Sequence, residues 1–125
     1  MLKTETLSSS CFMNDGKGDF TRKDLPGELQ LAPIFSFTSF PGAHAGTHMA
    51  SGNFYGVLPY EGQYDAMNPT VFNYNKKSGQ FIPLSQLPLI RGECRDAKWI
   101  NYAGDKKILV LARNNNQLTF LKTIP

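Results

Sequence analysis

The tripeptide Gly18-Asp19-Phe20 returns as Gly79-Gln80-Phe81 at a spacing of 61, and Leu25-Pro26 returns as Leu87-Pro88 at a spacing of 62. Four further pairs lie 62 apart: Phe37 with Trp99, Phe40 with Tyr102, Ala50 with Ala112, and Asn53 with Asn115. A fixed period constrains a fold more than any one motif does. Each repeat forms a single supersecondary unit that buries its apolar stripe against the next. Here each period reads strand–turn–strand–long loop–strand–turn–strand, which predicts a four-stranded antiparallel sheet per unit of about 60 residues.

The turn chemistry divides the chain into short β-prone runs. Asp15-Gly16-Lys17-Gly18 separates 9–14 from 19–25, because Asp-Gly supplies the positive φ that tight hairpins require. Pro26-Gly27 ends the second run. Residues 32–40 place Phe35, Phe37 and Phe40 near one face of a strand. Residues 47–54 form a strand whose Ala50, Ser51 and Gly52 admit close neighbours. A second hairpin spans 70–74 and 80–84, and a three-stranded meander takes 95–102, 107–113 and 117–123. The apolar run Ile108-Leu109-Val110-Leu111-Ala112 reads as a central strand covered on both faces. Phe35, Phe37, Phe72, Trp99 and Phe120 read as core. The expected fold class is all-β, with antiparallel blade-like sheets. Residues 1–8 form a disordered or extended N-terminus, and 9–125 one repeat domain with a partial unit 9–31, a full unit 32–90 and a partial unit 91–125.

Composition excludes several functions. At 125 residues the chain can bury roughly two-thirds of its unfolded surface. A net charge of +3, spread as single or paired lysines beside turns, lacks the clustered basic patch of a nucleic-acid binder. No apolar run reaches the ~20 residues of a membrane span, and the N-terminus has no apolar core of a signal peptide. An exported parent would therefore have lost its leader, or the chain is part of a longer gene product.

Three segments carry a family resemblance. Asn14-Asp15-Gly16-Lys17-Gly18-Asp19-Phe20 is similar to the NDGKGxF hairpin of FG-GAP/VCBS repeats, which build integrin-α-like β-propellers. The stretch Gly52-Asn53-Phe54-Tyr55-Gly56-Val57-Leu58-Pro59-Tyr60-Glu61-Gly62-Gln63-Tyr64-Asp65-Ala66 resembles the C-terminal part of bacterial FG-GAP/VCBS-repeat proteins. So does Arg91-Gly92-Glu93-Cys94-Arg95-Asp96, followed by Ile108-Leu109-Val110-Leu111-Ala112-Arg113-Asn114-Asn115. The resemblance implies about two blades of a propeller and an extracytoplasmic, cell-envelope or secreted setting. It also implies a non-catalytic binding or scaffolding role toward a protein or a glycan. Two blades leave sheet faces without neighbours, so self-association is expected.

The family also implies calcium, bound by an Asp-rich loop between the first two strands of a blade. Here that position reads Phe40-Pro41-Gly42-Ala43-His44-Ala45-Gly46, without a carboxylate, whereas Ca²⁺ takes six to eight oxygens. The equivalent Tyr102-Ala103-Gly104-Asp105 turn offers one carboxylate. No cofactor is expected. The remaining metal candidates are Asn14, Asp15 and Asp19, in a loop that reads better as a hairpin turn because Lys17 would sit among the ligands. His44 and His48 are four apart, but Pro41, Gly42 and Gly46 argue against the helix that makes this spacing a zinc site.

The best binding candidate is the patternless 55–69 segment, since a loop this long is usually functional. Tyr55, Tyr60 and Tyr64 bring flat faces with polar tips, suited to sugar or peptide contact. Glu61 and Asp65 add acceptors that Arg91 and Arg95 can face. Alternatively the tyrosines wedge adjacent blades apart. A hydrolase would need Glu61 and Asp65 to converge over a pocket with one pKa raised by burial; a calcium-dependent adhesion module is the third alternative. Cys94 with His48 and Asp96 has no activating surroundings, so Cys94 and Cys11 read as structural thiols, whether paired or free.

Overall fold

The protein, seen in a computed structural model, is described over residues 3–42, 46–58 and 60–122. Strands occur where the turn chemistry places them: β1 Ser10–Asn14, β2 Phe20–Asp24, β3 Ile34–Ser39, β4 Thr47–Gly52, β5 Thr70–Asn75, β6 Gln80–Gln86, β7 Cys94–Asn101, β8 Lys107–Arg113 and β9 Thr119–Lys122. The class is all-β. Gly18 (φ 109°) and Gly79 (φ 67°) close the β1–β2 and β5–β6 turns. Both lie in the left-handed region that only glycine enters freely. Each glycine stands just before the second strand of its hairpin or one residue earlier. A 3-10 turn, Gly27–Leu29, lay outside the sequence expectation; its Leu29 is fully buried.

The strands form three antiparallel meanders: β1–β2, β3–β4–β5–β6 and β7–β8–β9. The middle sheet has four strands and its neighbours two and three. Two hydrophobic clusters pack on the middle sheet, one against the third sheet and one against the segment after β2. On one face of the middle sheet Met49 and Val71 pack with Cys94, Ala97, Leu109 and Leu111 of the third sheet. Phe40 meets Trp99 edge-on there, with centroids 5.1 Å apart. On the opposite face Ala50, Phe72 and Met67 pack with Leu29, Ala32 and Leu25. Alternation along β4 and β5 sends Met49 and Val71 one way and Ala50 and Phe72 the other. This makes the middle sheet the shared wall of both cores.

The β3–β4 and β7–β8 hairpins are alike in pairing, but their spacing differs from the expected 62. In the first hairpin the residue after β4 bonds back to the residue before β3, Asn53 N–H to Pro33 O at 3.1 Å. In the second, Asn114 N–H donates to Glu93 O at 2.8 Å. Each hairpin has a bulge two residues in from that closure, at Phe35 and at Arg95. β3 thus matches β7 at an offset of 60, and β4 matches β8 at 61. Phe37 is equivalent to Ala97 rather than Trp99, and Asn53 to Asn114 rather than Asn115. Single-residue identities misled here because backbone bonding, not residue type, sets register.

Gly52 shows why one position stays small: a Cβ there would stand 1.8 Å from the Pro33 carbonyl oxygen. The expected core needs correction as well. Phe72 is fully buried and Trp99 partly so, but Phe35, Phe37 and Phe120 are exposed. The bulge turns Phe35 outward, Phe37 lies on the β3 edge of the face that Leu25, Leu29 and Ala32 cover only in part, and Phe120 lies on the outer face of the third sheet.

Candidate functional site

The 53–69 segment begins with a buried asparagine. Asn53 sits at φ 80°, a left-handed conformation that asparagine tolerates better than most side chains. Its Nδ2 donates to Met67 O (2.9 Å) and Gly92 O (3.2 Å), while its Oδ1 accepts from Met67 N–H (3.1 Å). One side chain thereby closes the loop's base and ties it to the β6–β7 connection. A single β-bridge follows, Phe54 N–H to Tyr64 O (2.8 Å) and Tyr64 N–H to Phe54 O (3.0 Å). Glu61 N–H donates to Leu58 O (2.9 Å) and makes the turn at the tip.

This base-fixed loop carries its aromatic residues outward. Tyr60 is 81% exposed and Tyr64 is also exposed, whereas Tyr55 is half-buried. A wedge between sheets is therefore not the arrangement of Tyr60. Glu61 and Asp65 are both exposed. Arg91 is exposed, and its backbone carbonyl accepts from Arg113 Nη1 (2.8 Å). An open groove of about 360 Å³, lined by Lys23, Asp24, Pro26, Gly79, Gln80 and Phe81, shares no residue with this loop.

Arg95 does not face Glu61 or Asp65. Its Nη2 donates to Glu93 Oε1 (2.8 Å), and its guanidinium lies over Phe35, 4.2 Å from the ring centroid, with Phe54 at 5.6 Å. The two bulged residues of the repeat, Phe35 and Arg95, thus meet as a cation–π pair, each re-aimed by its extra residue. Glu93 is the central residue here. Its buried carboxylate also accepts from Tyr55 N–H (2.6 Å) and from Asn114 Nδ2 (2.6 Å). Those three donors come from three parts of the chain: the long loop, β7 and the β8–β9 turn. The Asn114 hydrogen bond, then the Tyr55 N–H, hold the Glu93 carboxyl below its ordinary value against the upward push of burial, with Arg95 adding to them. Hydrogen bonds to the charged form favour that form.

Local sequence did not reveal this role. Glu93 lies in the Arg-Gly-Glu-Cys-Arg-Asp segment, but its donors Tyr55 and Asn114 are 38 and 21 residues distant. A buried acid paired with a neighbouring arginine is visible only after folding.

The hairpin loop at 14–19 uses its polar groups internally. Asn14 Oδ1 accepts from Gly16 N–H (2.7 Å), and Asp15 Oδ1 accepts from Lys17 N–H (2.7 Å) and Asp19 N–H (3.1 Å). These are turn-forming bonds. Among the described residues no three His, Cys, Asp or Glu side chains converge as metal ligands. His44 lies outside the described residues. His48 shares a 3.0 Å hydrogen bond with Ser39 and stacks at 5.2 Å on Phe37, and burial lowers its pKa.

His48 and Cys94 are on opposite sides of the middle sheet. Met49, next to His48, enters the cluster containing Cys94, so alternation points His48 away. Both cysteines are free; Cys94 is buried, and burial pushes its thiol pKa up. A maleimide reagent should therefore modify half-buried Cys11 in the folded protein and Cys94 only after denaturation. Equal labelling of both peptides by mass spectrometry under native conditions would contradict the burial. No protein-family model matches the chain, and neither a curated protein nor a solved structure matches it.

Proposed function

We propose that the chain is a non-catalytic binding or scaffolding module of the FG-GAP/VCBS type, with about two propeller blades, that holds a protein or glycan on its 55–65 loop. The observation that carries this reading is the loop's construction: a base closed by Asn53, Glu93 and the Phe54–Tyr64 bridge, and a tip that exposes Tyr60 and Tyr64. A fixed base lowers the ordering cost of binding, and exposed tyrosines contribute large contact area with few rotatable bonds. Support for the blade reading comes from the division into two, four and three meandering strands, together with the equivalence of the β3–β4 and β7–β8 hairpins. By the resemblance, the module works at the bacterial cell envelope or outside the cell.

The test is a glycan and peptide array probed with the wild-type chain and with Tyr60→Ala. A tyrosine central to a contact contributes about 2 kcal/mol, roughly thirtyfold in affinity. Loss of signal of that size in the variant, with an unchanged melting temperature, is the expected result. Hits that survive Tyr60→Ala undiminished, or no hit at all, would remove the loop as the binding element.

A further inference from the structure

Gly79-Gln80-Phe81, half of the tripeptide match in the sequence, has no part in the tyrosine loop. It lines the open groove of about 360 Å³, together with Lys23, Asp24 and Pro26. The end of β2 and the start of β6 thus both border this groove. Its volume falls within the range of small-molecule sites.

Two donors come together beside Gly79. A Cβ added there would stand 3.8 Å from Lys23 Nζ and 3.9 Å from Tyr74 Oη, so the ammonium and the hydroxyl lie within the span of one carboxylate. Lys23 is half-buried, and none of the ion pairs among the described residues includes it. Its neighbour Asp24 is engaged elsewhere. Alternation along β2 sends Asp24 to the opposite side, where Oδ1 accepts from Ser10 Oγ (2.8 Å) and pairs with Arg22 Nε (3.4 Å). Tyr74 and Phe81 are cross-strand partners whose half-buried rings lie 5.1 Å apart. Phe81 in turn meets the fully buried Phe72 edge-on at 5.8 Å. An unpaired cation and a phenol hydroxyl therefore stand beside a braced apolar surface.

We infer that this groove binds a small organic carboxylate. Lys23 Nζ and Tyr74 Oη each donate to the carboxylate, and such charge-assisted bonds are shorter and stronger than neutral ones. The apolar body of the ligand lies along Phe81, and the exposed Gln80 amide offers a donor and an acceptor to its polar substituents. One ammonium balances one negative charge, and the nearby Asp24 disfavours a second. Nothing in this site involves the tyrosine loop, so it stands or falls separately from ligand binding there.

Amide chemical shifts of the ¹⁵N-labelled chain test this in titrations with glucuronate and with benzoate. Glucose and benzyl alcohol are the neutral counterparts, and sodium chloride is the control for ionic strength. At least one carboxylate should give saturable shifts at Lys23, Gly79, Gln80 and Phe81, with a Kd on the order of 1 mM. The tighter of the two tells whether a sugar or an aromatic body fits. Lys23→Gln should weaken binding about tenfold or more, Tyr74→Phe about fivefold, and Lys23→Arg should retain it. An unchanged Tm in each variant separates loss of the site from loss of the fold. The absence of saturable shifts at these four amides with both carboxylates overturns the inference. So does an equal response to the neutral compounds or to salt, or binding that Lys23→Gln leaves unchanged.

Discussion

Glu93→Ala should destabilise the fold by ~3–5 kcal/mol, the range for removing one partner of a buried ion pair. For a domain of this size that is a drop of roughly 10–15 °C in Tm. The loss stays in that range although Arg95 is partly exposed, because the carboxylate also serves the Tyr55 N–H and the Asn114 amide. Without it those donors and the Arg95 guanidinium lose their protein acceptor, and the long loop loses an anchor at Tyr55. Glu93→Gln keeps the size and part of the hydrogen bonding, so its loss should be smaller.

The pH dependence follows in sign. The folded protein holds the Glu93 carboxyl below its ordinary value. Such a group contributes stability that is present above the unfolded pKa and is lost as pH falls through the folded one. The Glu93 contribution should therefore be level above about pH 5 and decline below the ordinary glutamate value of ~4.3. Thermal melts of wild type and Glu93→Gln between about pH 2 and pH 7 measure it. The gap between the two curves should narrow with acidification; a constant gap would mean that the carboxylate charge contributes nothing.

Phe72→Ala should cost a comparable ~3–5 kcal/mol, since a fully buried ring is removed from a wall that packs on both faces. Phe81 at 5.8 Å and Phe37 at 5.7 Å meet it edge-on, and His48 is at 5.8 Å. β5 is an interior strand paired on both sides, which limits collapse into the cavity. Phe120→Ala is the contrast, because its ring is exposed in the monomer. That substitution should change stability by no more than about 0.5 kcal/mol in either direction. Urea titrations at low protein concentration measure both. Equal losses for the two variants would contradict the burial difference.

Those two phenylalanines show how far local pattern reaches. Phe72 and Phe120 have similar strand contexts, and both read as core, because alternation reveals that a strand has an apolar face but not whether another layer covers it. The tyrosine loop was legible for a similar reason. A long patternless segment containing Tyr55, Tyr60 and Tyr64 stands out against short strands and turns, and Tyr60 is exposed in the fold. Arg95 was less legible. Its sequence neighbours offered no reason to prefer Glu93 over Glu61 or Asp65, because that choice depends on a bulge and on donors from distant loops.

By itself, the sequence determined the all-β class, the strands and their turns. Those features follow from Gly, Asp and Pro at bends and from β-prone runs between them, which act over a few residues. Only the tertiary structure decided the register of 60 and 61, the burial of Glu93 beneath three donors, and which apolar faces remain open. Each of these depends on backbone hydrogen bonds and packing between segments tens of residues apart, where side-chain identity at one position carries little information about its partner.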